Sequence, residues 1–81
     1  ARVLKVIHGY GSSGEGGKLR DGLRRSFARR RKEGVLEGFI TGENFSGGDA
    51  RVRDLLKVVP NLRNDQDFGK QNRGVTFLWL Q

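Results

Sequence analysis

The sequence predicts an α/β fold in which helices pack on a small mixed sheet. Three apolar segments rich in β-branched residues are predicted as strands: residues 2–7, 35–41 and 74–80. Two segments with apolar residues at helical spacing are predicted as helices: residues 18–32 and 49–59. This β-loop-α-β-α-β order over only 81 residues suits one domain. Because no methionine begins it, we expect an N-terminally incomplete piece of a larger protein.

The first half of the chain joins a strand to a helix through glycines. Gly9 ends the first strand, and residues 8–17 hold five glycines in ten positions, which predicts an irregular loop. The first helix is predicted because Leu19, Leu23 and Phe27 recur at every fourth position. Gly34 follows as a C-terminal cap.

The second half of the chain begins with the 35–41 strand and a loop. Asp49 is suited to cap the second helix at its N-terminus, and Pro60 is expected to end it. The polar segment 61–74 has a length that favours a functional or mobile connector. Residues 74–80 form the most clearly predicted strand.

The charge of the chain is concentrated in the first predicted helix. The formal net charge is +7, and residues 18–33 carry +6 of it, mostly as arginine. Such a concentration indicates a surface that binds nucleic-acid phosphates, because arginine makes bidentate contacts with phosphate. A solvated helix face that keeps a small protein soluble is the alternative. Cysteine is absent, which excludes disulfides and thiolate metal sites, and no segment is apolar enough for a membrane span.

The glycine-rich loop lies between a strand and a helix, where backbone N–H groups bind anions. Gly9, Gly11 and Gly14 formally match the dinucleotide fingerprint, but 81 residues are too few for the sheet that such a cofactor spans. A Walker A loop is excluded because Lys18 is followed by leucine and not by serine or threonine.

His8 ends the first strand at the edge of the sheet where ligands bind in α/β proteins. Its imidazole suits a general acid or base, or a phosphate ligand. An equally good interpretation is that His8 hydrogen-bonds the turn and holds the loop in shape. Tyr10 suits stacking on an unpaired base, or packing over the loop.

The segment His8-Gly9-Tyr10-Gly11, which ends a Val/Ile strand and leads into Ser12-Ser13-Gly14 and a basic helix, resembles the HGxG motif of Smr (small MutS-related) domains. Asn72-Arg73-Gly74 before a terminal apolar strand extends the resemblance over nearly the whole chain. The Leu-Asp-x-His strand that normally precedes this motif in the family is missing, because His8 is the only histidine.

The resemblance implies a sandwich similar to the C-terminal domain of bacterial translation initiation factor three. It also implies nucleic-acid binding, with endonuclease (nicking) activity in the intact protein and His8 as the catalytic residue. Together with the glycine loop and the basic helix, it predicts the following residues as phosphate or nucleic-acid ligands: Gly9, Tyr10, Gly11, Ser12, Ser13, Lys18, Arg20, Arg24 and Arg73.

The predicted partners are structured or branched DNA or RNA, together with the rest of a MutS-related polypeptide or a ribosome-associated partner. A divalent metal such as Mg²⁺ is a candidate cofactor, and the predicted location is the cytoplasm, away from membranes. The alternative function is a non-catalytic module that targets a larger protein to DNA or RNA. The missing Leu-Asp-x-His strand favours that alternative for this chain by itself.

Overall fold

The computed structural model describes residues 2–9 and 18–80. Their strands and α-helices are β1 (Arg2–Ile7), α1 (Lys18–Lys32), β2 (Leu36–Thr41), α2 (Ala50–Val58) and β3 (Val75–Leu80). Short 3-10 helices, Gly42–Asn44 and Pro60–Asn64, follow β2 and α2. The predicted α/β class is confirmed.

The sheet has the strand order β1-β3-β2, and β3 is antiparallel to both neighbours. It therefore differs from the predicted mixed sheet in its pairing. β1 and β2 run in the same direction and are linked through α1, but β3 lies between them, so no two neighbouring strands are parallel. The ladder between β2 and β3 shifts between Leu36 and Gly38, which places an irregularity at Glu37 on the free edge of β2.

The central strand is buried on both faces, which explains its nearly continuous apolar sequence. On one face, Leu78 packs with Leu36 and with Phe27 of α1. On the other face, β3 packs against α2 and the segments on either side of it. The buried residues of this second, larger cluster are Ile40, Phe45, Val52, Leu55, Leu56, Val75 and Phe77. Each face of the sheet therefore has its own core.

Both predicted helix caps are confirmed. The carboxylate of Asp49 accepts hydrogen bonds from the backbone N–H groups of Arg51 and Val52. Gly34 has φ of +82° and donates its N–H to the Arg31 carbonyl, while Val35 donates to the Arg30 carbonyl. These two bonds form a Schellman motif, whose left-handed residue favours glycine.

The predicted apolar stripe of α1 is only partly confirmed. Phe27 is buried and Leu23 packs against the same cluster, but Leu19 is 63% exposed. At 3.6 residues per turn, Leu19 lies about 80° around the helix from Phe27, and this separation places it at the border of the contact with the sheet. The apolar spacing thus predicted the helix correctly, but Leu19 lies outside the buried part of its apolar face.

The connector between α2 and β3 is tied to the sheet by charge. The Lys5 ammonium of β1 lies 3.0 Å from an Asp65 oxygen and 2.6 Å from an Asp67 oxygen. The Asn72 amide also donates to Asp67. Hydrogen bonds from Asn72 and Lys5 lower the pKa of Asp67 below its usual value, and the Asp67 carboxylate raises the pKa of Lys5. The connector is thus attached to the body of the domain.

Candidate functional site

The edge of the sheet where β1 and β2 end gathers four polar side chains from separate parts of the chain. His8 directly follows β1, Glu43 lies just beyond β2, Thr76 belongs to β3, and Arg24 extends from α1. Because β3 runs against its neighbours, its first residues meet the last residues of β1 and β2. We call these four residues, His8, Arg24, Glu43 and Thr76, the His8 network.

The imidazole of His8 is held at both nitrogens. Nδ1 lies 2.7 Å from the Gly9 carbonyl oxygen, and Nε2 lies 2.9 Å from the Thr76 hydroxyl oxygen. Since a carbonyl oxygen only accepts, Nδ1 carries the proton that it donates to Gly9. In the neutral ring, Nε2 is then the acceptor for the Thr76 hydroxyl. The network therefore sets both the orientation and the tautomer of His8.

The guanidinium of Arg24 connects that hydroxyl to Glu43. Its Nε donates to the Thr76 hydroxyl at 3.1 Å, and its two terminal nitrogens donate to the Glu43 carboxylate at 2.9 and 2.8 Å. Nη2 also donates to the Val75 carbonyl at 3.1 Å. Four of the five N–H groups of Arg24 are thus used within the protein. Arg24 therefore positions both Thr76 and Glu43.

The electrostatics of the network favour an ionised Glu43. The hydrogen bonds from Arg24 are the largest cause that lowers the pKa of Glu43 below 4.5, and the nearby Arg20 guanidinium, 3.6 Å from Glu43, contributes in the same direction. In the part of the chain that the structure describes, no buried side-chain nitrogen or oxygen is without a hydrogen-bond partner. The network is consequently a satisfied polar cluster.

The backbone around His8 favours glycine at two places. Gly9 has φ of +74°, a left-handed conformation that favours glycine. The Gly74 carbonyl accepts hydrogen bonds from the N–H groups of both His8 and Gly9, each at 3.0 Å. A Cβ on Gly74 would lie 3.2 Å from the Cα of Gly9. His8 and Gly9 therefore lie directly beside Gly74, and these are described residues from the two segments that carry the Smr resemblance.

The other predicted ligand residues have different surroundings. Tyr10, Gly11, Ser12 and Ser13 lie outside the described residues. Lys18 is exposed at the start of α1, and Arg73 is exposed just before Gly74. Arg20 contacts Asp21 at 2.9 Å as well as Glu43. Arg20 and Arg24 thus bind acidic side chains of the protein itself, a feature that the charge pattern did not indicate.

Sequence reasoning missed Thr76 and Glu43. Thr76 had a signal, since it is the one hydroxyl residue in an otherwise apolar strand and shares a face with Leu78 and Leu80. Glu43 had none, because it belongs to a glycine-rich loop whose position depends on how β2 packs against β3.

The solvent-facing side of α1 carries a second feature. At 100° per residue, positions 18, 25, 29 and 32 fall within about 60° of one another, opposite the buried Phe27. All four side chains are exposed, and none forms an ion pair with a described residue. We call these residues, Lys18, Arg25, Arg29 and Lys32, the basic stripe.

Within residues 2–9 and 18–80, no group of three histidine or acidic side chains is placed to hold a metal ion. The predicted divalent metal therefore remains a prediction. In the same part of the chain, neither helix is long and apolar enough to cross a membrane.

Comparisons of the chain with protein-family models, with curated proteins and with solved structures found no match. The resemblance to Smr domains therefore stays a prediction from the motif residues.

We expect acid to weaken the fold partly through Glu43. Its pKa is lower in the folded chain than the ordinary 4.5, so it stabilises the fold above that pH, and this contribution is lost as the pH falls through the folded value. Urea unfolding at a series of pH values should show Glu43→Gln less stable than the wild type at pH 7, with the difference narrowing towards pH 3. Asp54→Asn, which removes an exposed carboxylate, is the control. A stability difference between Glu43→Gln and the wild type that is the same at every pH would show that ionised Glu43 does not stabilise the fold.

Proposed function

We propose that this chain is a nucleic-acid-binding domain of the Smr type that binds the phosphate backbone of DNA or RNA through the basic stripe. The single observation that carries the proposal is that four cations share one exposed face of α1 without acidic partners among the described residues. Asp21 borders the stripe, about 20° around the helix from Lys32, and contacts Arg20 at 2.9 Å. The stripe positions themselves are all cationic, unlike a merely soluble helix face, on which charges of both signs alternate.

The dimensions of the stripe fit a nucleic-acid backbone. From Lys18 to Lys32 the helix rises about 21 Å, and duplex DNA presents about twelve phosphate charges over that length. Contacts of this kind position a nucleic acid and carry no sequence information, so we expect binding that tolerates many sequences. Arg20 and Arg24 are excluded from this count because Glu43 already binds them.

A second candidate function, phosphodiester cleavage, is supported by the His8 network. His8 lies at the sheet edge, and its imidazole shares the Thr76 hydroxyl with the Arg24 guanidinium. An oriented imidazole beside a cation is suited to proton transfer and to stabilisation of charge on a phosphate oxygen. In this proposal the basic stripe supplies affinity and the His8 network supplies chemistry. Without the second activity, the domain is a targeting module.

The salt dependence of duplex binding tests the proposal. If the four stripe cations each neutralise one phosphate, the logarithm of the association constant should fall with the logarithm of salt concentration at a slope of about −3.6. Raising the salt from about 50 to about 200 mM should then weaken binding about 150-fold. Fluorescence anisotropy with a labelled duplex measures both quantities.

The matched comparison uses two variants that each lose four positive charges. Replacing all four stripe residues with glutamine should flatten the slope towards zero. Replacing four cations outside α1 with glutamine should leave most of the salt slope unchanged. These control residues are Arg53, Lys57, Arg63 and Lys70. Undetectable binding by the wild type at low salt would refute nucleic-acid binding. Equal losses in the two variants would assign the affinity to net charge and not to the stripe.

A further inference from the structure

A groove crosses the free edge of β2, at the opposite end of that strand from the His8 network. It has a volume of about 580 Å³ and continues into a smaller cavity of about 120 Å³ that reaches Trp79. Arg31, Glu37, Phe39 and Arg51 line both parts. The groove therefore joins the C-terminal end of α1, the irregular edge of β2 and the first turn of α2.

The groove combines an aromatic ring with cations from two helices. Phe39 is partly exposed and is held by packing against Phe27, with ring centroids 6.2 Å apart. Arg31 and Arg51 are both exposed, and the nearest acidic atom to Arg51 is an Asp49 oxygen at 3.8 Å. Aromatic faces bordered by cations are how proteins bind single-stranded nucleic acids, since bases stack on the ring and phosphates pair with the cations.

Two more features of the groove favour a nucleotide. Lys32 belongs both to the groove wall and to the basic stripe, so a backbone that follows the stripe leads into the groove. Glu37 lines the groove together with Phe39, and a carboxylate accepts hydrogen bonds from the exocyclic amino group of cytosine. Gly38 also lines the part of the groove that reaches Trp79.

We infer that this groove binds one unpaired, amino-bearing nucleotide of a single strand, with its base on Phe39 and its phosphate on Arg31 and Arg51. The inference rests on the proposed nucleic-acid binding and adds a site that is separate from the stripe and from the His8 network. It identifies the preferred substrate as one with a single-stranded segment next to a duplex.

The fluorescence of Trp79 gives a direct readout, since it is the only tryptophan. We expect octadeoxycytidylate to change the Trp79 emission on binding. Phe39→Leu keeps the apolar volume but removes the aromatic face, so it should weaken binding about 5- to 150-fold, the range for the loss of one base–aromatic stack. Arg51→Gln should make the fall of log affinity with log salt shallower by about 0.7. Arg53→Gln, on the same helix but outside the groove, should leave this slope unchanged.

Three outcomes would overturn the inference. The first is wild-type affinity for octadeoxycytidylate in both Phe39→Leu and Arg51→Gln. The second is octaglutamate changing the Trp79 emission equally well, because this would indicate an acidic peptide site. The third is duplex binding with no binding of the single strand. If neither nucleic acid binds, the proposed function itself fails. Arg51 is exposed, so its variant remains informative even if Phe39→Leu unfolds.

Discussion

Gly42→Ala should lower the melting temperature of the domain by about 12–24 °C. A Cβ at position 42 would lie 1.9 Å from the Asn72 carbonyl oxygen and 2.9 Å from the Val75 carbonyl oxygen. Both are backbone atoms, so the strand and its connector must move to admit a methyl group. We expect a cost of about 3 kcal/mol, the upper end for overpacking, out of a total stability of about 4–12 kcal/mol. Each kcal/mol corresponds to about 4–8 °C in a domain of this size.

The matched control is Gly47→Ala, where the nearest atom to a new Cβ is the Phe68 ring at 4.0 Å. Thermal unfolding followed by far-UV circular dichroism should place this control within a few degrees of the wild type. Equal melting temperatures for Gly42→Ala and the wild type would show that the approach of Gly42 to β3 is not required. Because Gly42 immediately precedes Glu43, a shifted backbone there should also disturb the His8 network.

The elements of this fold could be predicted because each has a local cause. Strand and helix bounds followed from apolar spacing, and the caps at Asp49 and Gly34 followed from residue type alone. The pairing of the sheet could not be predicted in the same way. Insertion of β3 between β1 and β2 depends on contacts between residues that are far apart in the chain, as does the close approach at Gly42.

The candidate site likewise has features that the local sequence predicts and features that depend on packing. His8 and Gly9 were predicted from their position at the end of a strand, and the positive φ of Gly9 is a local property. The charge pattern grouped all the cations of α1 together, yet Arg24 faces inward to Glu43 whereas Arg29 faces solvent. Only the packing of α1 on the sheet distinguishes these two roles.

The hydrogen bonds of His8 determine how the proposed catalytic role of this residue should be tested. Because Nδ1 donates to Gly9, Nε2 is the nitrogen whose lone pair is held by Thr76. Proton transfer to or from a phosphate ester would use Nε2, after the Thr76 hydroxyl turns away or a ligand replaces it. Thr76→Val should keep the hydrogen bond from Nδ1 to the Gly9 carbonyl but remove the hydroxyl that holds Nε2. Thr76 is therefore a positioning residue in this proposal.

We expect this 81-residue chain to bind nucleic acid but to cleave it poorly, and the residual cleavage should depend on His8. The Smr resemblance implies that His8 acts together with a Leu-Asp-x-His motif, which this sequence does not contain, so under that proposal a pair that acts as a unit is incomplete. A general acid or base contributes about 10²–10⁴-fold, and His8→Ala should remove most of that factor from the residual rate. Nicking of supercoiled plasmid, with and without Mg²⁺ or Mn²⁺, measures the rate.

Duplex affinity separates loss of chemistry from loss of binding in that experiment. His8 lies at the sheet edge and the basic stripe lies on the solvent face of α1, so His8→Ala should keep the wild-type affinity and salt slope. Thr76→Val should lose less cleavage than His8→Ala and should shift the pH profile of the rate, because the hydroxyl that holds Nε2 is gone. Vigorous cleavage that survives His8→Ala would show that the role given to His8 is wrong and that the missing motif is not needed.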